Sequence, residues 1–435
     1  MSLVSKKNND EIKRIQARIS EDSLAAVEAS VKDIIAAVKA SGDKALEEYS
    51  LKFDGFELTK KNLNPSLDVS VKPELKAALD LAKKRIEKFH QAELENSKLK
   101  TGWSFTGDHG EKLGVKYDAI DSVAVYIPGG SAPLVSTVLM TVIPAKIAGV
   151  KRIVLVSPPP MNEAMIYAAK LAGVDEIYQI GGAQAIAALA YGTESIRAVD
   201  KILGPGNIYV STAKKQVFGK VGIDGIYGPS ELAVLADETA KAEYIAADLL
   251  SQLEHGSGLE STLLVSLSEK LCNEVKKELE AQIEALKDHK TQKQIETIKS
   301  SYENWTALLY EPDLTTAISL INDYAPEHLE LQLKSDALNK AIKNINNAAA
   351  IFIGNNSCES LGDYLAGPSH CLPTGSSARF SSGLQVVDFM TKTSMIDFSE
   401  AKGLNDLSVS VAEIARAEKL EAHARAMEYR VKGKG

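Results

Sequence analysis

Apolar residues recur at three- and four-residue steps through 22–40, at Leu24, Val27, Val31, Ile34, Ile35 and Val38. That spacing predicts a helix with one buried stripe. Leu75, Leu79, Ala82, Ile86 and Phe89 repeat it over 75–89, so the first hundred residues read as mostly helical. From about Ser122 the texture changes. Short apolar runs at 123–127, 153–156, 176–180 and 201–203 end in Pro128-Gly129-Gly130, in Ser157 and three prolines, in Gly181-Gly182, and in Gly204-Pro205-Gly206. Helical stretches follow them at 136–148, 163–172, 183–191 and 207–218. Strands alternating with helices, with glycine after the strand, predict a doubly wound parallel sheet. In such sheets ligands bind where strand C-termini meet helix N-termini. The pattern continues with strands at 231–236 and 262–267, a helix at 240–254 and a charged helical stretch at 269–299. A helix at 314–324 stops before Pro326, an apolar run occupies 348–353, and a last long helix covers roughly 408–430. No repeat or low-complexity segment is visible.

Composition narrows the class. The 435 residues suffice for two to four domains, and 45% hydrophobic with 25% charged residues is ordinary for a globular protein. A net charge of −8 argues against a nucleic-acid partner, which needs a basic face. No apolar stretch approaches a membrane span, and 5–11 lack the apolar core of a signal peptide, so the cytoplasm is the expectation. Cys272, Cys358 and Cys371 form no Cys-x-x-Cys pair, which suits a reducing compartment. The ending Lys432-Gly433-Lys434-Gly435 reads as a frayed tail.

Four of the seven histidines stand among carboxylates or amides, at His255, His328, His370 and His423. Imidazole, carboxylate and amide together can bind a metal and move protons near neutral pH, and the four clusters together favour an enzyme. Each segment alone leaves a plainer reading open. Gln252 and His255, three apart near a helix end, can offer two ligands from one face, or His255 simply suits the helix dipole. Glu327 and His328 can serve as two bases in one reaction, or form an exposed pair. Leu361 to His370 is a loop by composition, in which Asp363 and His370 meet only if it folds back at Gly367-Pro368. Glu418 and His423 are five apart, roughly 140° around an ideal helix, and share no face. Gly181-Gly182-Ala183-Gln184 opens a helix in a way that suits a pyrophosphate. The dinucleotide fingerprint is absent, however, and Gly204-Pro205-Gly206-Asn207 is only its first half.

Taken together these segments resemble the histidinol dehydrogenase family, from about Ser41 to Arg430. The resemblance is carried by Ser41-Gly42-Asp43-Lys44-Ala45-Leu46, Lys52-Phe53-Asp54, Val125-Tyr126-Ile127-Pro128-Gly129-Gly130 and Ile143-Pro144-Ala145-Lys146. It continues through Gly181 to Ile186, Gly204 to Asn207, Gly228-Pro229-Ser230-Glu231, Ala325-Pro326-Glu327-His328-Leu329, Gly362-Asp363-Tyr364, Ser381 to Leu384 and Ala422-His423.

The resemblance implies an α/β fold with Rossmann-like parallel sheets in two larger domains, a helical N-terminal segment and a small helical C-terminal dimerisation arm. The implied borders are 1–22 for the N-terminal segment, 23–103 with 230–385 for the first α/β domain, 104–229 for the second and 386–435 for the arm. It implies a zinc ion, one per subunit, on Gln252, His255, Asp363 and, from the partner of a homodimer, His423. It implies His328 as the general base, Glu327 as the activator of water, and Ser230, His370 and Glu418 as further substrate contacts. Tyr126, Gln184 and Asn207 match NAD contacts. The implied reaction is the four-electron oxidation of L-histidinol to L-histidine through histidinal, with two NAD reduced in turn. The chain departs from the family pattern at Gly256, where an acid is usual, at Thr374 to Arg379, and at Ser369-His370-Cys371. The alternatives are a paralogue oxidising another small alcohol, a zinc hydrolase and a non-catalytic homologue.

Overall fold

The computed structural model describes residues 8–18, 21–129 and 133–432. Gly130 of the first glycine turn, the segment 1–7 and the tail residues 433–435 lie outside them. The chain forms two compact units, residues 1–92 with 120–389, and residues 93–119 with 390–435. Its first two strands, β1 (Trp103–Thr106) and β2 (Lys112–Ala119), belong to the second unit and are taken up with it below.

The first unit holds two five-stranded sheets. In one, β3 (Ser122–Tyr126), β4 (Arg152–Val156), β5 (Glu176–Tyr178), β6 (Lys201–Leu203) and β7 (Gly222–Ile223) lie in the order β5-β4-β3-β6-β7, all parallel. Every residue of β3 is buried, which is why Ser-Val-Ala-Val-Tyr reads as a run and not an alternation. One face packs on the helices Glu21–Tyr49, Gly182–Tyr191 and Ile208–Val217 around Ala124, Val154, Ile186 and Val210. The helix at 22–40 in the sequence reading thus extends to Tyr49, with a break in helical geometry at Gly42.

The other sheet contains β8 (Glu231–Ala236), β9 (Ser261–Ser266), β10 (Thr306–Tyr310), β11 (His328–Gln332) and β12 (Ala350–Ile353), ordered β10-β9-β8-β11-β12 and again parallel. Numbered within each sheet, the strand order of the two is the same. Successive side chains of β8 and β11 turn to opposite faces. Ala233, Leu235, Leu329 and Leu331 enter a core with Ile12, Ile15 and the helices Leu314–Tyr324 and Ser335–Asn344. Leu232, Val234, Leu264 and Leu308 enter the opposite core with the helices Ala242–Leu253, Glu269–Ala285 and Gln292–Trp305. The charged stretch at 269–299 is therefore two helices, parted by a turn that ends at the Thr291 capping box.

In the second unit, β1, β2 and β13 (Met390–Asp397) form an antiparallel sheet in the order β1-β2-β13. Two helices follow, Leu404–Ala417 and Glu421–Lys432, packed on each other through Ala412, Ala415 and Ala424. They replace the single helix expected over 408–430. Lys419 adopts a left-handed φ of 60° and breaks it. Glu418 lies in that turn, so the 140° separation from His423 along one helix does not apply.

Leu264, fully buried in β9, tests the core of the second sheet. Leu264→Ala is expected to cost about 2–5 kcal/mol, read as a lower urea midpoint at unchanged slope. A loss under about 1 kcal/mol would contradict the packing described.

Candidate active site

Strand β11 reads His-Leu-Glu-Leu-Gln. Leu329 and Leu331 join an apolar core, yet His328, Glu330 and Gln332, on the opposite face, are buried as well. Three buried polar side chains in a row require partners. Gln332 donates to Glu330 at 2.9 Å, and the second Glu330 oxygen accepts the backbone N–H of Glu359 at 3.0 Å. The Glu359 N–H belongs to the helix Glu359–Tyr364, which carries Asp363. Asp363 is therefore helical, where the glycines on either side made 361–370 read as a loop.

Residue Glu231, at the start of β8, organises the two acid–base candidates. Its backbone N–H donates to Glu327 Oε2 at 2.9 Å. Its carbonyl lies 3.2 Å from His328 Nδ1. A carbonyl only accepts, so Nδ1 carries the proton and Nε2 keeps its lone pair. Nε2 lies 3.7 Å from Asp363 Oδ1. Burial holds His328 down to about 3, helped by the nearby histidines His255 and His370 and opposed by the Glu231 carbonyl. It is a neutral base at physiological pH. Burial, and then the neighbouring carboxylates of Glu231, Asp363 and Glu359, push Glu327 well above the usual carboxylate range, against the lowering effect of the Glu231 N–H.

Gln252 and His255 stand where the helix Ala242–Leu253 ends. Gln252 Nε2 is 3.2 Å from His255 Nδ1, which is 3.0 Å from Ser230 Oγ. Asp363 reaches the same place, and so does Glu359, which the sequence reading missed. Ligand atoms of His255, Glu359 and Asp363 all lie within 4.8 Å of one another. Glu359 is buried, accepts from Ser251 at 2.8 Å, and is pushed up to about 8 by burial and the Asp363 charge. Burial raises Asp363 to about 6. Four residues along one helical face from Asp363, Glu359 was findable by its i, i+4 spacing, although no histidine stands beside it.

His370 does fold back on Asp363. Its Nδ1 donates to the Asp363 carbonyl at 2.9 Å, and its Nε2 meets Thr137 Oγ1 at 3.0 Å, on the helix Val135–Ala148. Thr137 carried no sequence signal beyond a place on a helix. Burial holds His370 down to about 4. Thus Ser230, Gln252, His255, Glu327, His328, Asp363 and His370 converge in the first unit. Glu418 and His423 belong to the second, where both are exposed.

A cation suits this cluster. Gln252 is fully buried and its Oε1 has no hydrogen-bond partner among the described residues. Beside it stand an imidazole and carboxylates whose ionisation burial opposes. Nitrogen and oxygen donors of this kind suit zinc, which would reverse that opposition.

The remaining candidates surround the first sheet. Tyr126 ends β3, and its hydroxyl accepts the N–H of Gly182 at 3.2 Å, at the start of a helix. Gln184 is buried in that helix's first turn. The Asn207 side chain caps the helix Ile208–Val217, accepting from Tyr209 and Val210 at 3.0 and 3.1 Å. A Cβ on Gly204 would stand 2.1 Å from the Tyr126 carbonyl, so the glycine turn after β6 lies against the end of β3. The sheet changes direction between these two strands, and a crevice forms there in open α/β sheets.

The buried histidines give a pH dependence. In the unfolded chain they titrate near about 6.5. In the metal-free fold they stay neutral down to about 3 and about 4. The stability this contributes is complete above the unfolded value and is lost as pH falls toward the folded ones. The raised carboxylates Glu327, Glu359 and Asp363 act in the opposite direction, so the histidine contribution is read as a difference: below about pH 6.5 chelated wild type should lose melting temperature relative to chelated His370→Asn. A difference between the two that stays constant across that range would exclude neutral burial of His370.

Residues 17–431 match the family model described as histidinol dehydrogenase. The histidinol dehydrogenase of Syntrophotalea carbinolica is 45% identical over 415 residues, covering 93% of each chain. That of Prochlorococcus marinus is 41% identical over 441 residues, covering 99% of this chain and 97% of its own. The crystal structure of histidinol dehydrogenase from Elizabethkingia anophelis superposes with a TM-score of 0.88 at 36% identity, covering 98% of this chain and 96% of that one. Matches of this extent show that the chain belongs to the histidinol dehydrogenase family, NAD-dependent oxidoreductases acting on histidinol.

Proposed function

We propose that the chain oxidises L-histidinol to L-histidine in two NAD-linked steps, with His328 and Glu327 as its acid–base groups. The observation that carries this reading is the neutral His328, tied at Nδ1 to the Glu231 carbonyl and bearing a lone pair at Nε2. His328 Nε2 takes the hydroxyl proton of the alcohol as the carbinol hydride leaves for NAD, which gives the aldehyde. Glu327, whose raised affinity for protons makes it a stronger base than an ordinary carboxylate, takes a proton from the water that adds to that aldehyde. His328 returns the proton it holds to the aldehyde oxygen as the water adds, and so serves again when the hydrate's hydroxyl proton is removed with the second hydride. Ser230, His370 and Glu418 hold the substrate, and Tyr126, Gln184 and Asn207 hold the cofactor.

Gln252, His255 and Asp363, with His423 of the partner subunit, would hold one zinc ion per subunit. When bound it would orient the amine and imidazole nitrogens of histidinol. The arm that brings His423 supports a homodimer. Its two helices share a core of three alanines, while Val409, Ile414 and Tyr429 stay more than 60% exposed. So small a core needs cover from another chain.

The primary experiment measures NADH on adding L-histidinol, before and after chelation. Two NADH per histidinol, with histidine as product and loss on chelation, is the expected result. No NADH from folded, metal-loaded protein would turn the assignment to another small alcohol. His328→Asn is expected to lower kcat about 10²–10⁴-fold with zinc retained. Near-normal turnover would remove the base. Asp363→Asn and His423→Asn should each be inactive alone. Unfolded and refolded together at equal amounts, they should recover about a quarter of wild-type activity, because half the dimers are mixed and each has one intact site. No recovery, with both variants dimeric, would place His423 in its own subunit's site.

A further inference from the structure

We infer that Lys214 and Asp224 are positioning residues for the cofactor turn, holding the Gly204 peptide between two buried charges. The inference rests on the proposal that the turn from Gly204 to Asn207 contacts NAD. Both side chains are 1% exposed and stand 2.5 Å apart, Lys214 Nζ to Asp224 Oδ1. Lysine is almost never buried so completely unless paired. Lys214 Nζ also donates to the Gly204 carbonyl at 2.8 Å. Asp224 Oδ2 accepts the Gly204 N–H at 2.6 Å, and Oδ1 accepts the Gly225 N–H at 2.8 Å. Gly204 thus has its amide held by a carboxylate and its carbonyl by an ammonium. Charge-assisted bonds of this kind are the stronger class. The ammonium's third side faces the Tyr227 ring, 4.7 Å from its centroid.

The place of the pair explains its use. Gly204 directly follows β6, at φ +106°, with no room for a Cβ against the Tyr126 carbonyl. Three residues on, Asn207 begins the helix that carries Lys214. Ser211, on the same helical face as Lys214, donates to the Tyr227 carbonyl at 2.8 Å. The turn, the helix and the segment after β7 are therefore joined at one buried point. An apolar pair of similar volume would pack there without the cost of burying charge. It would not fix the orientation of a peptide. Neither charged atom is open to solvent, so the pair acts on the cofactor only through the turn.

The test separates positioning from simple support of the fold. Lys214→Met and Asp224→Asn each leave one buried charge unpaired and should both melt at lower temperature. The double variant has no such charge and should recover much of the melting temperature. If the pair positions the turn, the double variant still shows a KM for NAD raised about tenfold or more, with KM for histidinol within about twofold. A double variant with wild-type KM for NAD would overturn the inference. Should the double variant not fold, Asp224→Asn decides, since the carboxamide keeps the size and one acceptor. An unchanged KM for NAD in that variant overturns the inference, and a rise without a change in KM for histidinol supports it. Hydrogen exchange of the wild type with and without NAD tests the underlying reading separately. Protection of the amides at 204–210 is expected. Its absence would remove the turn from the cofactor site, whereas protection with unchanged KM in the variants would overturn only the role of the pair.

Discussion

One residue's backbone sets the chemistry of this molecule. Glu231 gives its N–H to Glu327 and its carbonyl to His328, so the two proposed acid–base groups are aimed by the same short piece of chain. That piece is fixed because β8 and β11 are neighbours in register, with His328 opposite Leu232 and Leu329 opposite Ala233. A slip of one residue would send Leu329 and Leu331 to the polar face and His328 to the apolar one. The register of a buried sheet and the tautomer of the His328 imidazole are therefore one constraint. The Glu231 side chain adds to it, since its Oε1 is held by Arg18 and by the Gly375 N–H.

The same burial makes the site electrostatically unsettled without a cation. Glu327, Glu359 and Asp363 are all raised by desolvation and are close enough to oppose one another's charge. Gln252 Oε1 adds an acceptor unpaired among the described residues. Such an arrangement is costly in a folded protein and is kept where function uses it. It also explains why the donors come from two different elements, the end of the helix Ala242–Leu253 and the helix Glu359–Tyr364. No single helix can present an amide, an imidazole and two carboxylates to one point.

Much of the first sheet was legible because buried parallel strands read as short apolar runs closed by glycine, as at Val123 to Ile127 and Lys201 to Leu203. β11 escaped because His328, Glu330 and Gln332 interrupt its apolar residues, and a pattern that suggests a solvated face is here a buried functional one. β1, β2 and β13 escaped for the opposite reason. Their residues are largely exposed, so neither alternation nor a run marks them. Seven candidate residues of the first unit, Ser230, Gln252, His255, Glu327, His328, Asp363 and His370, were named from histidines among acids and from family likeness, and the fold brings them together. Glu359 and Thr137 were not named, because their roles depend on which helix packs on which strand. The break at Lys419 was hidden because nothing in Glu418-Lys419-Leu420 demands a left-handed residue.

The two sheets share one strand order but not one kind of rim. Glycines follow β3, β5 and β6, where a ligand's phosphates could approach the backbone, whereas β8, β9 and β11 run into Asp237, Leu267 and Leu333. The second sheet keeps its reactive groups at the opposite rim, where His328 and Glu231 begin their strands. On the reading proposed above, one dinucleotide site serves a reaction that consumes two NAD. The half-oxidised substrate must then wait through one cofactor departure and one arrival. How tightly the amino rim of the second sheet grips that aldehyde sets how often a turnover ends in histidine and how often in a reactive carbonyl set loose.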